Sequence, residues 1–303
     1  TVSAPGVLVW LPAFDWSDEQ GRRPMTHPAQ SEASCLLQTG ALYQQRIGLM
    51  LPASPGDLVF AGFKSGAFSL YFGDEPIYHF DLEGRWQRAY LDGKHYLKAL
   101  DTTVQSIDRV REGRNMVLKR RTLDVPEAAA LDWQIRGIAL GLIERLKQGE
   151  VAFQEPPTDR AAPLTAPALG DFLQRIARWD EARWAEHRER HGLIYGEPVF
   201  LPPDSLNAIV LQATRGAAGS STFARGSLKT PQPYTSEPFA QHCRDVRSLW
   251  GDRMAQARIV FLAGENLLGL PRADLLDALK QAASVFPLGG GQNGSTDQKE
   301  AYL

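Results

Sequence analysis

Between Asp57 and Leu100 the chain reads DLVFAGFKSGAFSLYFGDEPIYHFDLEGRWQRAYLDGKHYLKAL, with aromatic and β-branched runs cut at Ser65-Gly66, Gly73-Asp74, Glu83-Gly84 and Asp92-Gly93. Gly in such pairs supplies the positive φ that tight hairpin turns demand, so each run between two turns is one strand. Tyr78, Phe80 and Leu82 alternate with His79 and Asp81, the period of two that gives a strand one dry and one wet face. The segment is therefore constrained to an antiparallel β meander whose dry face needs an apolar partner. A partner follows in sequence. Asp124 is placed to cap a helix with Pro126 in its first turn, Leu131, Ile135, Ile138, Leu142 and Leu146 along one side, and Gly149 at its end. Meander and helix are expected to pack as one unit. Residues 1–150 thus read as a β-rich accessory domain with a packing helix, to which Val7–Leu11 adds a strand and Asp15–Ser34 a long loop.

Residues 151–204 read as linker and helix. QEPPTDRAAPLTAP, Gln154 to Pro167, is the Pro-rich linker, and the helix after it carries Leu169, Phe172, Leu173, Ile176 and Trp179 on one face before running into DEARWAEHRERHG. His187 and His191 have the i, i+4 spacing of a metal pair, but no third ligand is evident and their charged neighbours predict a solvated helix face. His79 and His95 are expected at exposed strand positions, and Lys119, Arg120 and Arg121 on a solvated sheet edge.

Composition excludes several classes. With 303 residues, 43% hydrophobic and 22% charged, the chain can bury a large core. A net charge of -2 and a pI near 6.3 give no footprint for nucleic acid or an anionic membrane, and neither partner is expected. Two cysteines, Cys35 and Cys243, are too few and too distant for a disulfide scaffold or a chelating motif, which favours a cytoplasmic setting. No apolar run reaches the roughly 18 residues of a membrane span, and the N-terminal residues lack the basic start of a signal peptide.

The last third changes character. NAIVLQA, Asn207 to Ala213, and ARIVFLAG, ending at Gly264, are short continuous apolar runs of the kind buried on both faces in a parallel sheet. A helix over Ser236–Trp250 joins them, and another follows Pro271. This βαβα rhythm places a site at the C-terminal ends of the strands. Yet the loop after the first strand, GAAGSSTFARGS, carries almost no chemically able side chain. Its residue types alone leave open an ordinary flexible loop or a phosphate cradle at a helix N-terminus, although P-loop spacing and its lysine are missing.

FLPPDSLNAIVLQATRGAAGSSTFARGSLKTPQPYTSEPF followed by VFLAGENLLGLPRADLLDAL resembles the opening of a radical S-adenosylmethionine enzyme barrel. The resemblance covers roughly the last hundred residues and rests on the Pro-Pro, strand, Thr-Arg-Gly, loop, Phe-Leu-x-Gly-Glu order. It implies a four-iron, four-sulfur cluster held by three cysteines, and S-adenosylmethionine chelated to the cluster's fourth iron. Aligned on Thr214, Arg215 and Gly216, the three cysteine positions fall on Ala217, Ser221 and Ala224, with Phe223 at the family's aromatic position. By the same alignment Gly264 and Glu265 receive the methionine ammonium.

The implied fold is an α+β N-terminal domain followed, over residues 205–287, by an α/β segment resembling the first two βα units of a partial TIM-like barrel, with 288–303 as a flexible tail. An open parallel edge would then need covering by N-terminal segments, a partner or a second copy of the chain. The resemblance implies radical chemistry on an unknown substrate in a competent relative. In this chain it leaves no catalytic residue, no metal ligand and no bound cofactor, because the cluster ligands are absent. The alternative is a noncatalytic binding or scaffold protein that holds a partner on the meander.

Overall fold

A computed structural model describes residues 35–39, 58–64, 66–154, 164–196, 208–215, 232–233, 236–257, 259–264, 267, 270–286 and 300–302. All of them belong to one compact unit, residues 34–303. The strand expected at Val7–Leu11 lies outside the described residues.

The meander is present and longer than its sequence signal. Strands β1 (Cys35–Thr39), β2 (Leu58–Lys64), β3 (Ala67–Phe72), β4 (Ile77–Asp81), β5 (Trp86–Leu91), β6 (Lys94–Lys98), β7 (Val104–Glu112), β8 (Asn115–Thr122) and β9 (Val151–Gln154) form one sheet. Its order is β8-β7-β6-β5-β4-β3-β2-β1-β9. From β2 to β8 every neighbouring pair is antiparallel, whereas β1 lies parallel to both β2 and β9. The β5–β6 turn has Asp92 at φ 48 and Gly93 at φ 70, the paired left-handed conformation of a two-residue hairpin. At Gly84, φ 83, a Cβ would lie 2.7 Å from the carbonyl carbon of Arg175, so glycine there permits the close seating of a helix end as well as the turn.

Helix α1 (Val125–Lys147) starts in a capping box: Asp124 accepts from the Glu127 backbone, and Glu127 accepts from the Asp124 N–H. Its stripe, Leu131, Ile135, Ala139 and Leu142, is buried against Phe68, Leu70, Tyr78, Phe80 and Trp86 of the sheet. The expected union of meander and helix is therefore found. α2 (Ala166–Ala177) and α3 (Glu181–Tyr195) complete this core with Leu169, Phe172, Leu173, Ile176 and Trp184. Lys98 is held in it by Asp132 of α1, 2.7 Å away, with its ammonium 4.0 Å from the centre of the Trp184 ring.

Four expectations for this part of the chain are corrected. Residues 151–154, read as the start of a linker, form β9. The single helix read after the linker is two, because Asp180 caps a new start by accepting from Arg183 N, leaving Trp179 between them. His79 is half-buried, not exposed: it shares a 2.8 Å hydrogen bond with Ser69 and sits beside Arg88, and burial first, then that charge, pushes it down to about 4. His187 is not on a solvated face. Its Nε2 donates to the Leu100 carbonyl at 2.8 Å between the Trp179 and Trp184 rings, and burial above all pushes it down to about 3. Lys119, Arg120 and Arg121 do lie exposed on β8, an edge of the sheet, and His95 is exposed on β6.

The C-terminal part is α/β. β10 (Ile209–Gln212), β13 (Ile259–Ala263) and β14 (Glu300–Tyr302) form a parallel sheet in that order, with α4 (Ser236–Trp250) and α5 (Arg272–Val285) as its crossovers. A two-residue bridge joins β11 (Thr214–Arg215) to β12 (Gln232–Pro233), antiparallel. Residues 300–302, read as part of a flexible tail, supply β14. Ile209, Leu211, Phe239, Cys243, Val246, Val260, Leu262 and Phe286 make a second core. Among the described residues no helix is long and apolar enough to cross a membrane.

Candidate functional site

The strand ends are built by two apolar runs in register. Ile209 pairs with Val260 and Gln212 with Ala263, and the ladder continues where Ala213 N donates to the Ala263 carbonyl at 2.8 Å. Directly beyond, Thr214 and Gly264 are in contact: a Cβ at Gly264 would lie 3.1 Å from the Thr214 backbone nitrogen and would collide with its hydroxyl oxygen. Thr214 of TRG and Gly264 of AGEN, about fifty residues apart, therefore meet at neighbouring strand ends. Beside that contact the β11–β12 bridge pairs Thr214 with Pro233 and Arg215 with Gln232.

The outer edge of β10 is satisfied from within the chain. In a parallel strand alternate residues direct their backbone groups to one side; those of Val210 and Gln212 face away from β13. The Tyr195 hydroxyl of α3 donates to the Val210 carbonyl at 2.9 Å, and His242 Nε2 of α4 accepts from Gln212 N at 3.0 Å. The edge expected to need a partner is thus blunted here by two side chains. Burial raises the Tyr195 phenol above its ordinary value. Neither residue stood out in the sequence, although His242 lies on the α4 stripe beside Phe239, Cys243 and Val246.

Of the six residues expected at the site, Gly264 is described, at the end of β13. Ala217, Ser221, Phe223, Ala224 and Glu265 lie outside the described residues. An iron–sulfur cluster does not fit the donor set at 217, 221 and 224, because two methyl groups and a neutral hydroxyl stand where soft thiolates are required. Cys243 offers no substitute: it is fully buried in the second core, and desolvation pushes its thiol up to about 12. Among the described residues no three His, Cys, Asp or Glu side chains are grouped to hold a metal ion.

The Thr214–Gly264 contact can be tested directly. Gly264→Ala is expected to destabilise the chain by roughly 1–3 kcal/mol, since the added methyl must displace Thr214 backbone as well as its side chain. Urea unfolding measures this, and a wild-type midpoint would show that the strand ends are not in contact. No protein-family model, no curated protein and no solved structure matches the chain.

Proposed function

We propose that the chain is a radical S-adenosylmethionine family protein stripped of its cluster ligands, in which the strand-end site survives without the iron chemistry. The Thr214–Gly264 contact carries this reading. Thr214 and Gly264, one from each of the two segments on which the resemblance rests, meet at the C-terminal ends of adjacent parallel strands, where open α/β folds and barrels bind their ligands. Sequential strand order β10-β13-β14 with α4 packed on α5 supports the barrel-like part of the reading. In this state the protein does not carry out reductive radical chemistry. Gly264 backbone groups and the Glu265 carboxylate are left to receive an ammonium.

Reconstitution decides it. After anaerobic treatment with iron and sulfide the natural chain is expected to stay colourless. The triple variant Ala217→Cys, Ser221→Cys, Ala224→Cys is expected to gain the broad visible absorption and about four irons of a cluster, and a variant carrying only two of these cysteines to load far less. These replacements are small enough for the fold to tolerate. Equal, negligible loading in a folded triple variant would overturn the proposal and favour a scaffold role for the meander.

A further inference from the structure

The face of the large sheet turned away from α1 and α2 has a composition of its own. Cross-strand partners in an antiparallel sheet lie on the same side, so the pairing register places Phe60, Tyr71, Ile77, Tyr90, His95, Ile107 and Arg120 in one row, a residue from each strand from β2 to β8. Tyr90 and His95 are the aromatic pair at its middle, their rings 4.6 Å apart at 36°. His95 and Arg120 are exposed, and Tyr90 and Ile107 are half-buried without belonging to either core.

Charge is segregated between the two faces. Strands β2–β8 carry three carboxylates, Asp81, Asp108 and Glu112. Asp108 and Glu112 lie on the helix side, where Lys119 pairs with Glu112 at 2.9 Å and Arg121 with Glu127 at 2.6 Å. Asp81 is fully buried and bound to Arg85. The outer face therefore shows Arg88, Arg109, Arg111 and Arg120, all exposed, and none of them forms an ion pair among the described residues. A net charge of -2 for the whole chain averages over this separation.

We infer that this face binds single-stranded nucleic acid. Its unopposed guanidinium groups complement a phosphate backbone, and the Tyr90 and His95 rings beside them offer stacking surfaces to unpaired bases, the combination by which sheet platforms hold single strands. A duplex keeps its bases in the stack and gives the rings nothing to take. An acidic peptide would use the arginines and leave the tyrosine without a role.

The test uses the full chain and fluorescently labelled 15-nucleotide oligo(U) and oligo(dT), followed by anisotropy at 50 and 200 mM salt. Binding is expected to weaken with salt, and Arg120→Glu to weaken it about tenfold. Lys119→Glu, the same charge change one residue away on the opposite face, is expected to leave it within about twofold. Tyr90→Leu should cost about tenfold for the oligonucleotides and nothing for a heparin fragment, a polyanion without bases. Both surface variants keep the fold because their side chains are exposed, which circular dichroism checks. No binding at 50 mM salt would overturn the inference. So would equal effects of Lys119→Glu and Arg120→Glu, an unchanged oligonucleotide affinity in folded Tyr90→Leu, or preferential binding to duplex or to vesicles containing phosphatidylserine.

Discussion

Replacing Arg85 by methionine is expected to destabilise the folded chain by about 3–5 kcal/mol, the cost of leaving a buried charge without its partner. Arg85 and Asp81 are almost wholly excluded from solvent, and Nε of the arginine donates to Asp81 Oδ2 at 2.7 Å. The other end of the guanidinium donates to the Leu249 carbonyl at 2.9 Å and the Trp250 carbonyl at 2.6 Å. These are the last carbonyls of α4, at the negative end of its dipole. One side chain thus ties the β4–β5 turn of the first core to the helix end of the second. In the variant Asp81 keeps only the backbone N–H groups of Glu83 and Arg85. Arg253, buried nearby and pushed down to about 10 by desolvation despite the Asp81 charge, adds a second cation in the same place. Urea unfolding measures the loss, and a fall in melting temperature on the order of 10 °C accompanies it. The double variant Asp81→Asn, Arg85→Met should recover part of the stability by removing the orphaned carboxylate. A loss below about 1 kcal/mol for Arg85→Met would mean that the two cores are not joined through this pair.

How much of this was legible in the sequence depends on the range of the interaction. The hairpin turns of the meander, the Asp124 cap and the two apolar runs are local signals, and each appears in the structure where its residues put it. β8 was anticipated only as the solvated edge that carries Lys119, Arg120 and Arg121, and β7 not at all, because most positions in that hairpin are exposed and the alternation that marks a half-buried strand is absent from VREGRNMVLKRR. β9 and β14 were missed for another reason: a strand of three or four residues parallel to a distant one owes its existence to the partner, and no local turn announces it. His187 was misread because its sequence neighbours, Glu186, Arg188, Glu189 and Arg190, are charged, whereas its spatial neighbours are two tryptophans and a carbonyl from residue 100. That Thr214 and Gly264 lie at strand ends was expected from the βαβα rhythm, which puts a site there. Tyr195 and His242, which finish the same strand, answer an unpaired edge that exists only in three dimensions.

The buried histidines make stability fall in mild acid before the carboxylates titrate. His187 and His79 have folded-state values of about 3 and about 4, below the ordinary 6.5 of an unfolded chain. The unfolded state therefore binds more protons than the folded state once the pH drops below about 6.5, and stability present above that pH is lost as it falls toward the folded values. Each group contributes a slope of about 1.4 kcal/mol per pH unit in that window. Between pH 6.5 and 5 most carboxylates remain ionised, so the histidines dominate the change. His187→Gln keeps a donor that can reach the Leu100 carbonyl and removes the titration. Its unfolding free energy, measured by urea at pH 7, 6 and 5, is expected to decline less steeply than that of the natural chain by about 1.4 kcal/mol per unit. Parallel declines in the two proteins would show that His187 takes up its proton in the folded state, and a packed site between Trp179 and Trp184 would then have to be abandoned.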